Sequence, residues 1–212
     1  MHLLSWRLSC ALYGHFITHS FRHLLRLVSI VGIMQIVGKH EGASHFTIGQ
    51  GAKISGAARK WFIVGRAGGE DNKGTVFVCG DTHHPALYSE ELYIQADEFN
   101  WIGGTLPPPI ASGERLPALC RTRHLQPLIP CTVELDQACS TPRIVVRFDR
   151  PVRAITPGQT AAIYVGGGLI CLGGGQIASA GPSFHQLGLE LPRMLHPAGQ
   201  NDLSAARRAS GM

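Results

Sequence analysis

From Lys60 onward the apolar residues come in short bursts: KWFIVG, TVFVC, LYIQADEFNWI, CTVELD and RIVVRFD, each closed by Gly, Pro, Asp or Asn. Runs this short, rich in β-branched and aromatic residues and ended by turn formers, predict strands. In RIVVRFD, Arg143, Val145, Arg147 and Asp149 alternate with Ile144, Val146 and Phe148, the pattern of a half-buried strand. TAAIYVGGGLICLGGGQI predicts two further strands joined by Gly166 to Gly168, with a second glycine run at Gly173 to Gly175. A dinucleotide loop needs GxGxxG opening a helix inside a βαβ unit, and no helical period follows either run. These glycines are therefore expected at tight turns and barrel corners. The stretch from His40 to Gly65, HEGASHFTIGQGAKISGAARKWFIVG, poses the same choice between a phosphate loop and a β scaffold.

The pattern divides into two small β-rich units, 38–90 and 91–180, without internal repeats. TLPPPIASGERLP (Thr105 to Pro117) is expected to be a loop between strands, and the tail 181–212 to be flexible. Residues 1–37 stand apart as a basic, apolar leader. No Asp or Glu occurs in the first forty residues, which carry Arg7, Arg22, Arg26 and Lys39. A mitochondrial presequence has this composition, and so can an alternative first exon with no targeting role. The apolar run Leu24 to Val37 is interrupted by Arg26, Ser29 and Gln35 and is too short to span a bilayer comfortably, so no membrane partner is expected.

Composition narrows the chemistry. With 44% hydrophobic and 16% charged residues the 212-residue chain can bury a core, and its 26 glycines and 13 prolines suit many turns. A net charge of +5 favours a polyanionic partner. The cysteines, Cys10, Cys79, Cys120, Cys131, Cys139 and Cys171, form no CxxC pair and read as reduced, mostly buried thiols. Cys79 with His83 and His84, or Cys120 with His124 and Cys131, lacks the two short-spaced ligand pairs of a zinc site, so no metal is expected. No GxSxG or Cys-Gly-x-Cys word marks a nucleophile, and no catalytic residue is assigned. Basic residues are more informative. Arg121, Arg123 and His124 crowd into CRTRHLQ, and Arg147, Arg150 and Arg153 surround the approach to ITPGQTAAIYV. Arginine and glutamine at strand ends suit phosphate and base contacts; an ordinary solvated face is the competing reading.

Six words occur in order: GKHEGASHFTIGQGAKISG, HHPALYS, FNWIGG…PPP, TRHLQPLIPC, VRFDRPVRAITPGQTAAIY and CLGGGQI. Together they resemble the central and C-terminal domains of the MnmA-type tRNA 2-thiouridylases, whose eukaryotic counterpart is the mitochondrial tRNA 2-sulfurtransferase. The resemblance covers about Val37 to Ala180. It implies a mainly β fold: a small β-rich central domain, then a C-terminal β-barrel of the translation-factor type, with no nucleotide-binding α/β domain. HFTIGQGAKISG then opens the central domain and is not a nucleotide loop. The family often has Arg after GQ, where this chain has Gly51.

By the same resemblance, the family uses ATP to adenylate the wobble uridine of tRNA and a persulfide-carrying cysteine to deliver sulfur. That chemistry belongs to a domain with an SGGxDS loop and two catalytic cysteines. The sequence contains no SGGxDS, and the words around Cys10 do not match a catalytic cysteine. No cofactor is therefore expected on these residues, and a separate catalytic chain or sulfur donor protein is an alternative partner. A barrel that binds rRNA or protein is a further alternative. The resemblance implies that the barrel grips the tRNA anticodon arm through Arg123, His124 and Gln159, with Arg121 and Arg153 as further phosphate contacts. Leu125 stands where the family often has Arg, which removes one cation. Cys131 and Cys171 are expected to be buried, and the implied location is mitochondrial, or cytoplasmic if the leader is no presequence.

Overall fold

The computed structural model describes residues 26–29, 35–40, 42–67, 74–138 and 140–192. It separates into two compact units that meet in sequence between Ala86 and Leu87.

The first unit is a five-stranded sheet of β1 (Arg26–Ser29), β2 (Ile36–Lys39), β3 (Gly51–Ala52), β4 (Trp61–Arg66) and β5 (Thr75–Cys79), in the order β2-β1-β5-β4-β3. The sheet thus begins inside the stretch set apart as a leader: Arg26 to Ser29 pairs parallel with Thr75 to Val78. Alternation builds the core. Trp61 and Ile63 from β4 meet Val76 and Val78 from β5, with Phe46 and Ile54 packed against them. The TIGQ segment is a hydrogen-bonded turn, closed by the Gln50 amide donating to the Thr47 carbonyl at 3.0 Å. Gly49 has φ 83°, the left-handed value that the third position of a type II turn requires. Its amide donates to the Ile63 carbonyl at 2.8 Å, and the Ile63 amide returns a bond to Gln50 at 2.9 Å. The Gly49 amide is spent on β4 and the Gln50 amide on the turn itself, so the motif is a scaffold turn and not a phosphate cradle.

The second unit comprises β6 (Tyr88–Gln95), β7 (Phe99–Trp101), a one-turn helix α1 (Pro108–Ala111), β8 (Leu116–Arg121), β9 (Ile129–Asp136), β10 (Arg143–Arg153), β11 (Thr160–Val165), β12 (Ile170–Gln176) and β13 (Ser179–Ala180). The strand order is β13-β6-β10-β9-β8-β11-β12-β7. Every neighbouring pair is antiparallel. β6 and β7 are consecutive in the chain yet lie far apart in that order, so the sheet curls. The curl brings β12 against both: a Cβ on Gly175 would stand 2.7 Å from Ile94 Cγ2 and 3.2 Å from Phe99 Cα. Inside sit Leu92, Ile94, Val133, Ile144, Val146 and Ile163, all with no exposed surface. No helix among the described residues is long and apolar enough to cross a membrane.

Several elements differ from the hydrophobic pattern. The Thr105 to Pro117 segment contains α1, which drives Ile110 into the core at 1% exposure. Leu116 to Arg121 is a full strand that Pro117 and the scarcity of β-branched residues conceal. Gly166 to Gly168 form the expected turn, all with positive φ. Gly173 to Gly175, by contrast, lie within β12, beside the bulge where its register with β11 shifts. The expected flexible tail is anchored at two points within residues 181–192: Phe184 and Leu191 are buried, and the Phe184 amide donates to the Tyr88 carbonyl at 3.0 Å, while 185–190 are exposed.

Val145 is also buried, although it lies on the polar face of β10. An ionic lattice covers it. Arg147 pairs with Glu91 and, at 2.9 Å, with Glu134, which also holds Arg115 at 2.7 Å. Arg143 pairs with Asp136 at 2.8 Å and lies 4.2 Å over the Tyr93 ring. The aliphatic stems of these arginines shield the valine while their heads stay wet.

Candidate nucleic-acid interface

The turns at one end of the barrel gather the arginines that this lattice leaves over. β8 ends at Arg121, which pairs with Ala162 of β11. β11 starts at Thr160, so Gln159 stands just before it, at the end of the ladder where β8 finishes. β10 ends at Arg153, and the Arg123 guanidinium donates to the carbonyls of Ala154 and, at 3.5 Å, Arg153. Arg121, Arg123, His124, Arg153 and Gln159 therefore share one end of the barrel. Arg147 does not join them, because it belongs to the ionic lattice.

Arg123 works chiefly inward. Burial, and secondarily the charge of Arg153, lowers its pKa from the ordinary guanidinium value. The Ala154 carbonyl that it holds also accepts from Thr156 Oγ1 at 3.0 Å, while the Ala154 amide donates to the Leu87 carbonyl. Ala154 has φ 56°, a left-handed conformation that costs a non-glycine residue about 1–3 kcal/mol and persists only where neighbours impose it. Sequence reasoning found Arg123 but missed this clamp, because nothing in AITPG marks a left-handed alanine.

The opposing turn is organised in the same way. The Gln126 amide donates to the Arg123 carbonyl at 3.2 Å, and Gln126 Oε1 accepts from the Thr122 amide at 3.1 Å and from Thr122 Oγ1 at 2.8 Å. His124 and Leu125 form the exposed tip, with Leu125 at φ 65° and 84% exposed. An apolar side chain held in water on a strained backbone is the kind of outlier from which function is inferred.

Two groups at this end remain unsatisfied. Arg121 Nε and Gln159 Oε1 are buried side-chain atoms without a hydrogen-bond partner. Buried polar atoms are normally paired, so a donor and an acceptor left open together call for a ligand or water. Among the described residues no carboxylate pairs with Arg121 or Arg123. Cations, an open amide oxygen and an exposed imidazole can meet phosphate oxygens and the edge or face of a base.

Thiol and metal chemistry have no comparable footing. Burial pushes the Cys131 thiol up to about 12 and that of Cys120 higher still, so neither is a thiolate nucleophile at neutral pH. Cys171 is half-buried, more open than expected; Cys10 and Cys139 lie outside the described residues. Among the described residues no three His, Cys, Asp or Glu side chains converge. His84 Nδ1 accepts from the Ala86 amide at 3.1 Å, and Asp81 Oδ1 accepts from the His83 amide at 2.9 Å, so this stretch shapes the turn leading to β6.

Replacing Arg123 by Ala takes the charged donor from the Ala154 and Arg153 carbonyls and leaves only Thr156 Oγ1 on the first. It is expected to destabilise the barrel by roughly 1–3 kcal/mol, the cost of unpairing buried acceptors of a charged donor. Arg123→Lys should recover part of this, since an ammonium lacks the planar fork. Urea unfolding measures both; a loss below about 0.5 kcal/mol for Arg123→Ala, the noise of a surface substitution, would show that the guanidinium ties nothing together.

Comparison with known proteins gives concordant matches in both units. The family model described as a tRNA methyl transferase PRC-barrel domain matches residues 15–80, and that described as an aminomethyltransferase beta-barrel domain matches residues 91–177. The chain is 39% identical over 175 residues to the tRNA-specific 2-thiouridylase MnmA of Protochlamydia amoebophila, covering 78% of this chain and 40% of that protein. It is 35% identical over 149 residues to mitochondrial tRNA-specific 2-thiouridylase 1 of Gallus gallus, covering 70% and 33%. For the Homo sapiens protein of the same name the identity is 34% over 153 residues, covering 72% and 34%. The chain thus spans well under half the length of the curated relatives it matches.

Proposed function

Because the chain belongs to the tRNA-specific 2-thiouridylase family through these two β domains, we propose that it holds the anticodon arm of tRNA at the cationic end of its barrel. The observation that carries the proposal is the convergence of Arg121, Arg123, His124, Arg153 and Gln159 beside a buried donor and acceptor with no partners.

Arg121 contacts a backbone phosphate, supplying the salt-dependent part of the affinity. Gln159, whose amide oxygen is buried in the free chain, meets an amino group on a base edge once binding opens the turn. His124, at the exposed tip, stacks on a base freed from the helix, as single-stranded loops allow. Arg123 acts mainly as a positioning residue, keeping the two turns at a fixed separation. ATP use and sulfur delivery are assigned, by resemblance, to the part of the family outside the matched stretch. That part, or a separate catalytic chain with its sulfur donor, would act on the uridine while the barrel holds the arm.

Titration with a fluorescein-labelled anticodon-arm RNA tests this reading. Micromolar or tighter binding supports it, and no binding at low salt overturns it. Mitochondria are the proposed location, supported by the names of the chicken and human relatives. Fractionation of cells expressing a tagged chain would contradict that placement if the protein stayed in the cytosol.

A further inference from the structure

We infer that the first unit carries a second surface for an RNA phosphate backbone, centred on Arg59 in the loop between β3 and β4. The inference rests on the proposed RNA partner but concerns residues apart from the barrel's site.

The loop residues Ser55 to Lys60 are all exposed. Within it, Arg59 is ordered: its guanidinium carbon lies 4.9 Å from the centroid of the Trp61 ring. The side chain also lies across Gly80, where an added Cβ would stand 3.0 Å from Arg59 Cδ, 3.1 Å from Nη1 and 3.3 Å from Nε. An indole and a residue without a side chain thus hold a planar cation at the surface. Such a cation–π contact orients the guanidinium while leaving its N–H edge open.

Among the described residues no carboxylate pairs with this cation. Ala52 pairs with Trp61, and Lys53 and Lys60, both exposed, stand at the two ends of the loop that this pair closes. Like charges gathered on one hairpin repel, and among the described residues neither lysine forms an ion pair. Asp81 is the single acidic residue among the described residues of this unit, against Lys39, Lys53, Arg59, Lys60 and Arg66. Asp81 forms no ion pair with Arg59. A fixed guanidinium with two lysines on one hairpin presents the spaced positive charge that a polyphosphate backbone neutralises on binding.

The test uses the full chain and a fluorescein-labelled tRNA transcript, titrated across a salt series. Arg59→Ala is expected to weaken binding about 3- to 10-fold and to lower the magnitude of the log–log salt slope by about one, the loss of one phosphate contact. Arg59→Lys should keep the slope. Gly80→Ala, which displaces the guanidinium but keeps its charge, should weaken binding about 2- to 3-fold, within the range of a displaced surface ion pair. Wild-type affinity and slope in Arg59→Ala, alongside weakened binding in Arg121→Ala/Gln159→Ala, would overturn this inference and leave the barrel reading standing. No tRNA binding by the wild type would overturn both. Loss of binding to phosphatidylglycerol vesicles in Arg59→Ala, with tRNA binding unchanged, would also overturn the inference, assigning the surface to lipid.

Discussion

Gly173→Ala is expected to destabilise the barrel severely. The new Cβ would lie 2.1 Å from the Asn100 carbonyl oxygen and 2.9 Å from Phe99 Cε1, at a residue whose φ is +153°. The obstacle is backbone, held by pairing of Gly173 with Trp101, so no rotamer change can clear it. The adjacent glycines forbid retreat: a Cβ at Gly174 would be 2.8 Å from the Ala161 carbonyl oxygen, and one at Gly175 2.7 Å from Ile94. Overpacking at about 1–3 kcal/mol or more, with backbone strain of similar size, gives a loss of about 3–6 kcal/mol. That is a large part of the roughly 5–15 kcal/mol that stabilises an ordinary domain. Gly103→Ala is the control, since nothing lies within 4 Å of its Cβ position and its φ is not positive. It should change stability by less than about 1 kcal/mol. Urea unfolding with amide exchange on the barrel strands separates the two. A loss under about 1 kcal/mol for Gly173→Ala, no more than an average point mutation, would contradict the close approach of β7 to β12.

The same glycines mark where sequence reading reaches and where it stops. Rejecting a nucleotide loop at Gly166 to Gly168 needed only the absence of a following helix, and those residues form a turn. Gly173 to Gly175 look identical in sequence but act in a strand, because what excludes side chains there comes from β7, β11 and β6, for Gly173 a strand more than seventy residues earlier. Alternation in RIVVRFD revealed β10 but not the burial of Val145, which depends on the partners that Arg143 and Arg147 find in β6 and β9. The candidate site was legible as residue types: arginines and a glutamine at strand ends. Its division of labour was not. Arg123 and Arg121 look alike in CRTRHLQ, yet the first is turned to the Ala154 and Arg153 carbonyls while the Nε of the second has no partner. Only the path of the chain after β10 decides that.

This division of labour sets the second large effect. Arg121→Ala/Gln159→Ala removes one cation and one open acceptor while leaving the Arg123 clamp intact. The barrel should therefore stay folded, unlike in Arg123→Ala. A base contact is worth about 1–3 kcal/mol and a phosphate contact somewhat less, so affinity for the anticodon arm should fall about 10- to 100-fold. The salt slope should decrease in magnitude by about one, since a single phosphate contact is lost. Loss of Gln159 alone should leave the slope unchanged, because an amide releases no counterion.

The measurement that tests the central claim most directly is the salt series for this double variant against the wild type, on fluorescein-labelled anticodon-arm RNA. The wild type should bind with a clear salt dependence, and binding should weaken at least tenfold in a variant whose urea midpoint is unchanged, the loss of about 1.4 kcal/mol in binding alone. Equal affinity and equal slope in the two proteins would contradict it, and would return these turns to the status of an ordinary charged surface.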